Sequence, residues 1–360
     1  MKMIIKKISV LFSLASMFSL SAIAGNEDRA GSAGGTQLLI NPFAKSSGLA
    51  GSNMAGAKGI EGIFLNVADL ASITKLELMF SNANWLSGSG ISINTIALGA
   101  KVGESGVLGF SITSIDVGDI FVTTTELPDN QTNTFSPRLL NLGLSYAKSF
   151  SNSISGGLTL RILSESITDA KATGACFDAG IRYITGEKDR IKFGISLKNV
   201  GPPITYRGDG LSFPGRSPDN NIQQTVQQRS DNYELPSLVS IGFSYDIFLA
   251  ENHKLTPHGN FISNSFNRDQ FIGGLEYNFK EFFTLRVGYL AEQKAERTDI
   301  RTNALTGIHA GASVGVPLGK SGNKLSIDYS YRDTNPFSGV HTIGVSFNIG
   351  GSAAELKLNS

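Results

Sequence analysis

Apolar and polar residues alternate along most of the chain. Residues 325–332 read LSIDYSYR, in which Leu325 and Ile327 are apolar while Ser326 and Asp328 are polar. A β-strand sends successive side chains to opposite faces, so this stretch has one apolar face and one polar face. About fourteen segments share this period of two, and they centre near residues 79, 96, 110, 143, 159, 179, 194, 242, 259, 274, 286, 312, 327 and 345. None has helical spacing, so the pattern predicts an all-β protein.

The polar faces of these segments consist mostly of Gly, Ser, Thr and Asn. One segment carries Asn141, Gly143 and Ser145 on its polar face, and the last segment carries Gly344 and Ser346. A strand face in contact with bulk water usually carries Lys and Glu instead. Small polar residues therefore indicate a crowded polar interior, as in the lumen of a membrane barrel with a segment packed inside it.

The connections between the segments favour the same fold, because long and short connections mostly alternate. The predicted long connections are 115–137, 164–174, 200–236 and 292–307, and every even-numbered connection is a tight turn. The first connection, near 87–90, is short and is the exception. Outer-membrane barrels have short periplasmic turns and longer external loops. The alternative, a periplasmic β-sandwich, has no reason to sort its loops in this way.

We therefore predict a 14-stranded antiparallel transmembrane β-barrel over residues 73–350. An even number of strands would place both termini in the periplasm and the long loops outside the cell. The apolar strand faces would contact the lipid of the outer membrane.

The first 24 residues predict a signal peptide. A basic start and an apolar run precede Ala22-Ile23-Ala24, which fits a cleavage site, so the mature chain would begin at Gly25. Beyond this point no apolar stretch approaches the roughly 20 residues that a membrane-spanning helix needs.

Residues 25–72 precede the first predicted strand and are rich in Gly, Ala and Ser. A lumen enclosed by about fourteen strands is wider than its own side chains can fill, so we expect this segment to lie inside the barrel as a plug. The alternative, a disordered periplasmic arm, is less favoured because the segment is too apolar. Residues 351–360 would form a short periplasmic tail. The predicted plug contacts are Leu38, Leu39, Ile40, Phe43 and Asn66.

Charge and composition narrow the possible partners. The 31 basic and 30 acidic residues give a net charge of +1, which argues against a nucleic-acid partner. Charged residues are 17% of the chain, below the roughly 25% of an average soluble domain. The 41 glycines are about 11% of the chain, against a usual roughly 7%. Cys176 is the single cysteine, so no intramolecular disulfide is possible.

Motifs for catalysis or metal binding fail on inspection. PLGKS at 317–321 lacks the earlier glycine of a phosphate-binding loop, because Val314 occupies that position. The four histidines are scattered and form no H-E-x-x-H pair. We predict no catalytic residue, no cofactor, no metal site and no enzymatic activity. Lumen charges are expected to pair with one another or with the plug rather than to form a selectivity ladder; they are Arg161, Lys192, Arg286, Asp328 and Arg332.

Several stretches of the chain resemble a known family. Residues 29–71 read RAGSAGGTQLLINPFAKSSGLAGSNMAGAKGIEGIFLNVADLA, and 198–215 read KNVGPPITYRGDGLSFPG. With ELPSLVSIGFSYDI at 234–247, LRVGYLAEQ at 285–293 and HTIGVSFNIG at 341–350, they resemble the PorV/PorQ family. These are outer-membrane proteins of the Bacteroidota, related in fold to the long-chain fatty-acid transporter FadL. The resemblance covers essentially the whole mature chain.

The resemblance implies a plugged barrel that acts in the type IX secretion system. Members of the PorV type bind the outer-membrane translocon and receive secreted cargo by its C-terminal signal domain. Where the family tends to have Trp-Asn-Pro-Ala-Gly-Leu, this chain has Leu65-Asn66-Val67-Ala68-Asp69-Leu70. Asn66 is kept, but the proline that would fix the local backbone is absent. We therefore expect the plug to be shaped or positioned differently here.

Aromatic residues in the predicted external loops are candidate anchors for a protein partner. The alternative is that these loops merely fold over and shield the barrel mouth. The candidate anchors are Phe121, Phe135, Tyr206, Phe213, Tyr233 and Phe337.

Three functions follow from these observations. The first is a non-enzymatic component of type IX secretion that binds the translocon or the C-terminal signal domain of cargo. The second is a FadL-like transporter of hydrophobic small molecules across the outer membrane. The third is a purely structural barrel, or a plug for a larger channel, whose lipid face would dock on another barrel.

Overall fold

The computed structural model describes residues 25–129, 132–216, 221–280, 282–293, 301–319, 322–335 and 337–350. Within these ranges, fourteen antiparallel strands form one closed sheet in which the first and last strands pair. We number the barrel strands β1 to β14 in chain order. They are Leu76–Trp85, Ile91–Val102, Gly106–Asp116, Arg138–Ser149, Ile154–Ile167, Ala170–Thr185, Ile191–Val200, Leu238–Tyr245 with its continuation Ile247–Ala250, His253–Asn264, Gln270–Phe279, Phe283–Glu292, Gly307–Leu318, Asn323–Arg332 and Val340–Ile349.

The apolar faces of the strands point outward. In β13, Ile327 is 55% exposed, whereas Asp328 and Ser330 are buried in the lumen. The same polarity holds around the whole barrel, where the exposed large side chains are mostly Leu, Ile, Val and Phe. A soluble sandwich would bury this face, so the predicted barrel is confirmed. The described residues include no helix long and apolar enough to span a membrane.

One predicted long loop, 164–174, is wrong. The strands β5 and β6 continue through it, pairing Ser166 with Lys171 and Ile167 with Ala170, and only Thr168 and Asp169 form the turn. Thr168 adopts a positive φ of 42°, as tight hairpins require. The residues on both sides of this turn keep alternating between the two faces of the sheet, so β5 and β6 stay paired as far as the turn.

The remaining long connections, 117–137, 201–237 and 293–306, lie at one end of the barrel, which we call the loop end. The even-numbered connections, which are all short, lie at the other end, the turn end. Short ladders stiffen two of the loops: Ile120–Phe121 with Thr134–Phe135, Ile204–Thr205 with Asn232–Tyr233, and Ser212–Arg216 with Gln223–Gln227.

Residues 25–75 run through the lumen from the loop end to the turn end and form the plug. The plug contains six short helical turns, at Glu27–Arg29, Thr36–Leu39, Ala44–Ser47, Ser52–Ala55, Gly59–Ile63 and Val67–Ser72.

The two ends of the described chain lie at opposite ends of the barrel. Gly25 packs beside Asn267 and Asp269 at the loop end, while the last strand finishes at Ile349, opposite Leu76, at the turn end. This separation arises because the plug traverses the lumen before β1 begins. That both termini lie in the periplasm stays a prediction. The predicted signal peptide, 1–24, and tail, 351–360, lie outside the described residues.

Candidate functional site

The plug passes the middle of the barrel through a ring of inward-facing glycines, which we call the glycine girdle. A Cβ at Gly288 would lie 2.4 Å from the carbonyl carbon of Leu49, and one at Gly180 would lie 2.0 Å from Oδ1 of Asn66. At these two positions no larger residue fits while the plug is in place. The girdle comprises Gly99, Gly109, Gly157, Gly180, Gly194, Gly242, Gly274, Gly288, Gly311 and Gly344.

Asn66 holds the plug at this girdle. Its side chain accepts a hydrogen bond from the Ala68 amide (3.2 Å) and so caps the helical turn Val67–Ser72. Its Nδ2 donates to the carbonyl of Ile181 on β6 at 3.1 Å. One buried side chain thus shapes the plug and attaches it to the wall.

The lumen charges pair as expected. Arg161 bonds to Asp178 at 2.6 Å and also donates to the Ile63 carbonyl of the plug. Arg332 donates to the plug carbonyl of Asn41 at 3.1 Å, and Asp328 faces Lys45 of the plug at 3.7 Å. Two further pairs lie on the wall alone: Lys192 with Asp246 at 2.6 Å and Arg286 with Glu276 at 2.8 Å.

Two plug carboxyl groups have unusual electrostatics. Burial raises the pKa of Glu61 to about 7, against the attraction of Lys45 and Arg286 for its charged form. Burial also raises the pKa of Asp69 to about 7, although Arg182 of β6 lies 2.9 Å away and attracts its charged form. Both groups therefore change charge near neutral pH.

Above the girdle, toward the loop end, the plug and wall form two apolar clusters. In the first, Leu38 packs with Leu163, Cys176 and Ile204. In the second, Ile40 packs against Ile93, Ile115 and Val340, with Trp85 at its margin. The loop-end half of the lumen thus contains two apolar patches between the plug and the wall.

The predicted plug contacts divide between different depths. Leu38 and Ile40 join separate apolar clusters, and Leu39 is half-buried. Phe43 is fully buried deeper in the plug, in a cluster with Ile60 and Ile63.

The six predicted loop aromatics do not form one surface. Tyr206 and Tyr233 are the pair that the fold brings together, with ring centroids 6.0 Å apart in an edge-to-face contact. Tyr206 is half-buried and its hydroxyl donates to Glu165. Phe121, Phe213 and Phe337 are exposed on three different loops, and Phe135 is half-buried.

The sequence analysis missed the girdle and the wall residues of the apolar clusters. A signal for the girdle existed, since most of the strands have a glycine on their polar face. The clusters gave less signal, because Ile93, Ile115 and Leu163 interrupt otherwise small polar faces and look like irregularities.

Comparisons with known proteins bear on the fold. No family model matches the chain, and no curated protein matches it in sequence. The Pseudomonas putida toluene transporter TodX superposes with a TM-score of 0.55 at 10% identity, covering 86% of this chain and 98% of TodX. The CymD monoaromatic hydrocarbon channel gives 0.52 at 13% identity, covering 88% and 99%. A Pseudomonas aeruginosa FadL homologue gives a TM-score of 0.51 at 12% identity, covering 86% of this chain and 98% of the homologue.

The barrel is FadL-like. The exposed Leu, Ile, Val and Phe side chains of its outer wall suit a surrounding of membrane lipid. Identities this low show the fold alone, so substrate and partners have to be argued from the residues.

Proposed function

We propose that this protein binds small hydrophobic molecules in the loop-end half of its lumen and passes them across the outer membrane. The observation that supports this function is the pair of apolar clusters between plug and wall, above the glycine girdle. The similar structures include a toluene transporter and a monoaromatic hydrocarbon channel. An aromatic hydrocarbon of this size is therefore the first substrate class to test.

A ligand would take the place that Leu38 or Ile40 now fills. The first part of the plug is held at the rim mainly by contacts near the surface. The Gly34 amide donates to the Glu234 carbonyl at 2.9 Å, Arg29 pairs with Glu234, and Glu27 pairs with Arg268 at 2.8 Å. Exposed pairs of this kind contribute little, about 0–1 kcal/mol. Burying apolar ligand surface gains about 25 cal/mol per Å², enough to compete with these contacts. Passage beyond the girdle then requires the deeper plug to move.

Trp85 provides the test, because it is the single tryptophan of the chain and lies against the second cluster. Toluene titrated into the purified protein should change its fluorescence saturably. An Ile115→Asn variant places an amide in the cluster and should weaken binding about tenfold. Leu127→Asn, at an exposed loop position, should bind as the wild type does. The proposal fails if toluene gives no saturable change, or if Ile115→Asn responds like the wild type.

A second function, docking of a secretion translocon or cargo signal domain, is favoured by two observations. Phe213, Tyr233 and Phe337 expose aromatic surface at the loop end, and the plug packs closely at the girdle. The sequence resemblance to the PorV/PorQ family points to the same role. We propose the hairpin that pairs Ser212–Arg216 with Gln223–Gln227 as the contact element.

Deleting this hairpin tests the docking role cleanly. The Gln228 amide donates to the Leu211 carbonyl at 2.9 Å, so a short Gly-Ser turn can join these residues without disturbing the lumen. The deletion should abolish capture of a large translocon barrel and surface display of cargo. Heat-modifiable electrophoretic mobility should remain as the control for a folded barrel. Unchanged capture and display would exclude the hairpin as the docking element.

A further inference from the structure

A groove of about 480 Å³ crosses the outer wall of the barrel over strands β10 to β13. It exists because Ala310 and Ala312 of β12 are short, while the strands on either side carry larger side chains. Its lining is Leu275, Tyr277, Leu285, Arg286, Val287, Ala310, Gly311, Ala312, Tyr329 and Tyr331. This face of the wall contacts the bilayer. Because the groove is apolar and crosses four strands, a long apolar molecule such as an acyl chain fits it best.

The groove is inclined to the barrel axis: its low end lies nearer the turn end of the barrel, and its high end lies nearer the loop end. Its outward residues form two rows across the strands, Leu275–Val287–Ala310–Tyr331 and Tyr277–Leu285–Ala312–Tyr329. On β10, Tyr277 lies close to the strand's turn-end residue, Phe279. On β13, Tyr331 lies next to the loop-end residue, Arg332. The groove therefore climbs from the turn end toward the loop end.

Polar side chains continue the same rows at the high end. His341 of β14 follows Tyr331, and Asn84 of β1 and Ser92 of β2 follow His341. In the second row, Asn82 donates to Asn94 at 2.8 Å. Polar groups on a lipid-facing wall are costly unless they find partners, so this patch favours a ligand with hydrogen-bonding groups at the loop-end rim.

The patch is rich in neutral groups. It offers amides from Asn82, Asn84 and Asn94, a hydroxyl from Ser92 and an imidazole from His341, which also bonds the Tyr329 hydroxyl at 2.8 Å. The next residues on the first row, Asp116 and Arg138, are in register with each other on β3 and β4. Amides and hydroxyls suit sugar hydroxyl groups, whereas a phosphate headgroup would favour clustered Lys or Arg.

We propose that the groove binds a glycolipid of the leaflet at the loop end. One acyl chain lies along Ala310 and Ala312 toward Tyr277, and the sugar headgroup bonds to His341, Asn84 and Ser92. The site is on the outer wall, so it is independent of the hydrophobic substrate proposed for the lumen.

Native mass spectrometry of the delipidated protein tests the chain site, with a monoglycosyl diacylglycerol as the probe. The wild type should bind one molecule. The double variant Ala310→Leu and Ala312→Leu fills the groove and should weaken binding about tenfold or more. Ala179→Leu, an outward position on β6, should bind as the wild type does. The site is refuted if the wild type binds no lipid. It is also refuted if the double variant, shown to be folded by its heat-modifiable electrophoretic mobility, binds the lipid as tightly as the wild type.

The headgroup assignment has its own comparison, with phosphatidylethanolamine of matched acyl chains. The wild type should prefer the glycolipid about tenfold. The double variant Asn84→Leu and His341→Leu should lose this preference while still binding both lipids through their chains. Equal binding of the two lipids by the wild type would refute the glycolipid assignment.

Discussion

An Arg182→Met variant should weaken the seating of the plug by about 3–5 kcal/mol at pH 8, the usual cost of leaving a buried charge without its partner. Arg182 bonds to Asp69 at 2.9 Å with both side chains buried, and it also donates to the Ala57 carbonyl at 3.3 Å. It therefore connects the wall to two parts of the plug. Methionine keeps the length of the side chain but provides neither contact.

The loss should shrink at pH 5.5. The raised pKa of Asp69, about 7, makes the carboxyl mostly neutral at pH 5.5 and mostly ionised at pH 8. The ion pair with Arg182 is therefore present at the higher pH and largely absent at the lower one. Removing the arginine costs most where the pair exists.

Cys176 reports the seating of the plug, because this single thiol is buried beneath Leu38 in the first apolar cluster. The rate at which a small thiol reagent labels Cys176 is measured over a series of urea concentrations. At each pH it is expressed relative to the labelling rate of the unfolded protein. Glu234→Gln is the control, since the Arg29–Glu234 pair is 39% and 59% exposed and should contribute less than about 1 kcal/mol. This account is contradicted if Arg182→Met weakens the seating of the plug no more than Glu234→Gln does. It is also contradicted if Arg182→Met loses the same free energy of seating at pH 5.5 and at pH 8.

A Gly288→Val variant should displace the plug at the girdle, with a cost of about 1–3 kcal/mol for overpacking. The new Cβ would lie 2.4, 2.6 and 2.8 Å from the carbonyl carbon, oxygen and Cα of Leu49. These are backbone atoms, which cannot rotate away as a side chain can. The plug around Leu49 therefore has to move.

Trypsin cleavage after Lys45 measures this displacement, because Lys45 is held in the lumen beside Asp328. Cleavage in the folded barrel should become about tenfold faster or more. Gly273→Val is the matched control: it lies on the adjacent strand β10, and no atom lies within 4 Å of its Cβ position. If cleavage is equally slow in both variants, the girdle is not a close fit around the plug.

The strands could be predicted because their cause is local. In LSIDYSYR and its counterparts, alternation fixes which residues share a face, and small polar residues on one face indicate what the other must contact. All fourteen predicted centres lie within the observed barrel strands. The error at 164–174 arose because Ser, Asp and Gly look like loop residues, whereas pairing of β5 with β6 over their whole length outweighs that preference.

The candidate site was only partly predictable. The apolar pieces of residues 25–72 indicated a plug, and Leu38 and Ile40 do contact the wall. Which wall residues they meet depends on register and closure around the whole barrel. The depth of Asn66, the pairing of Asp69 with Arg182 and the path of Gly25 to the loop end follow from that closure.

The sequence by itself determined that this chain forms a lipid-facing barrel with a crowded interior, because a period of two expresses the environment on each side of a strand. Only the tertiary structure decided how the plug lies in the lumen and where the outer groove meets its polar rim. The reason is that these features join residues from distant strands, such as Gly288 with Leu49 and Tyr331 with His341. Their meeting depends on strand register and barrel closure, which no local pattern contains.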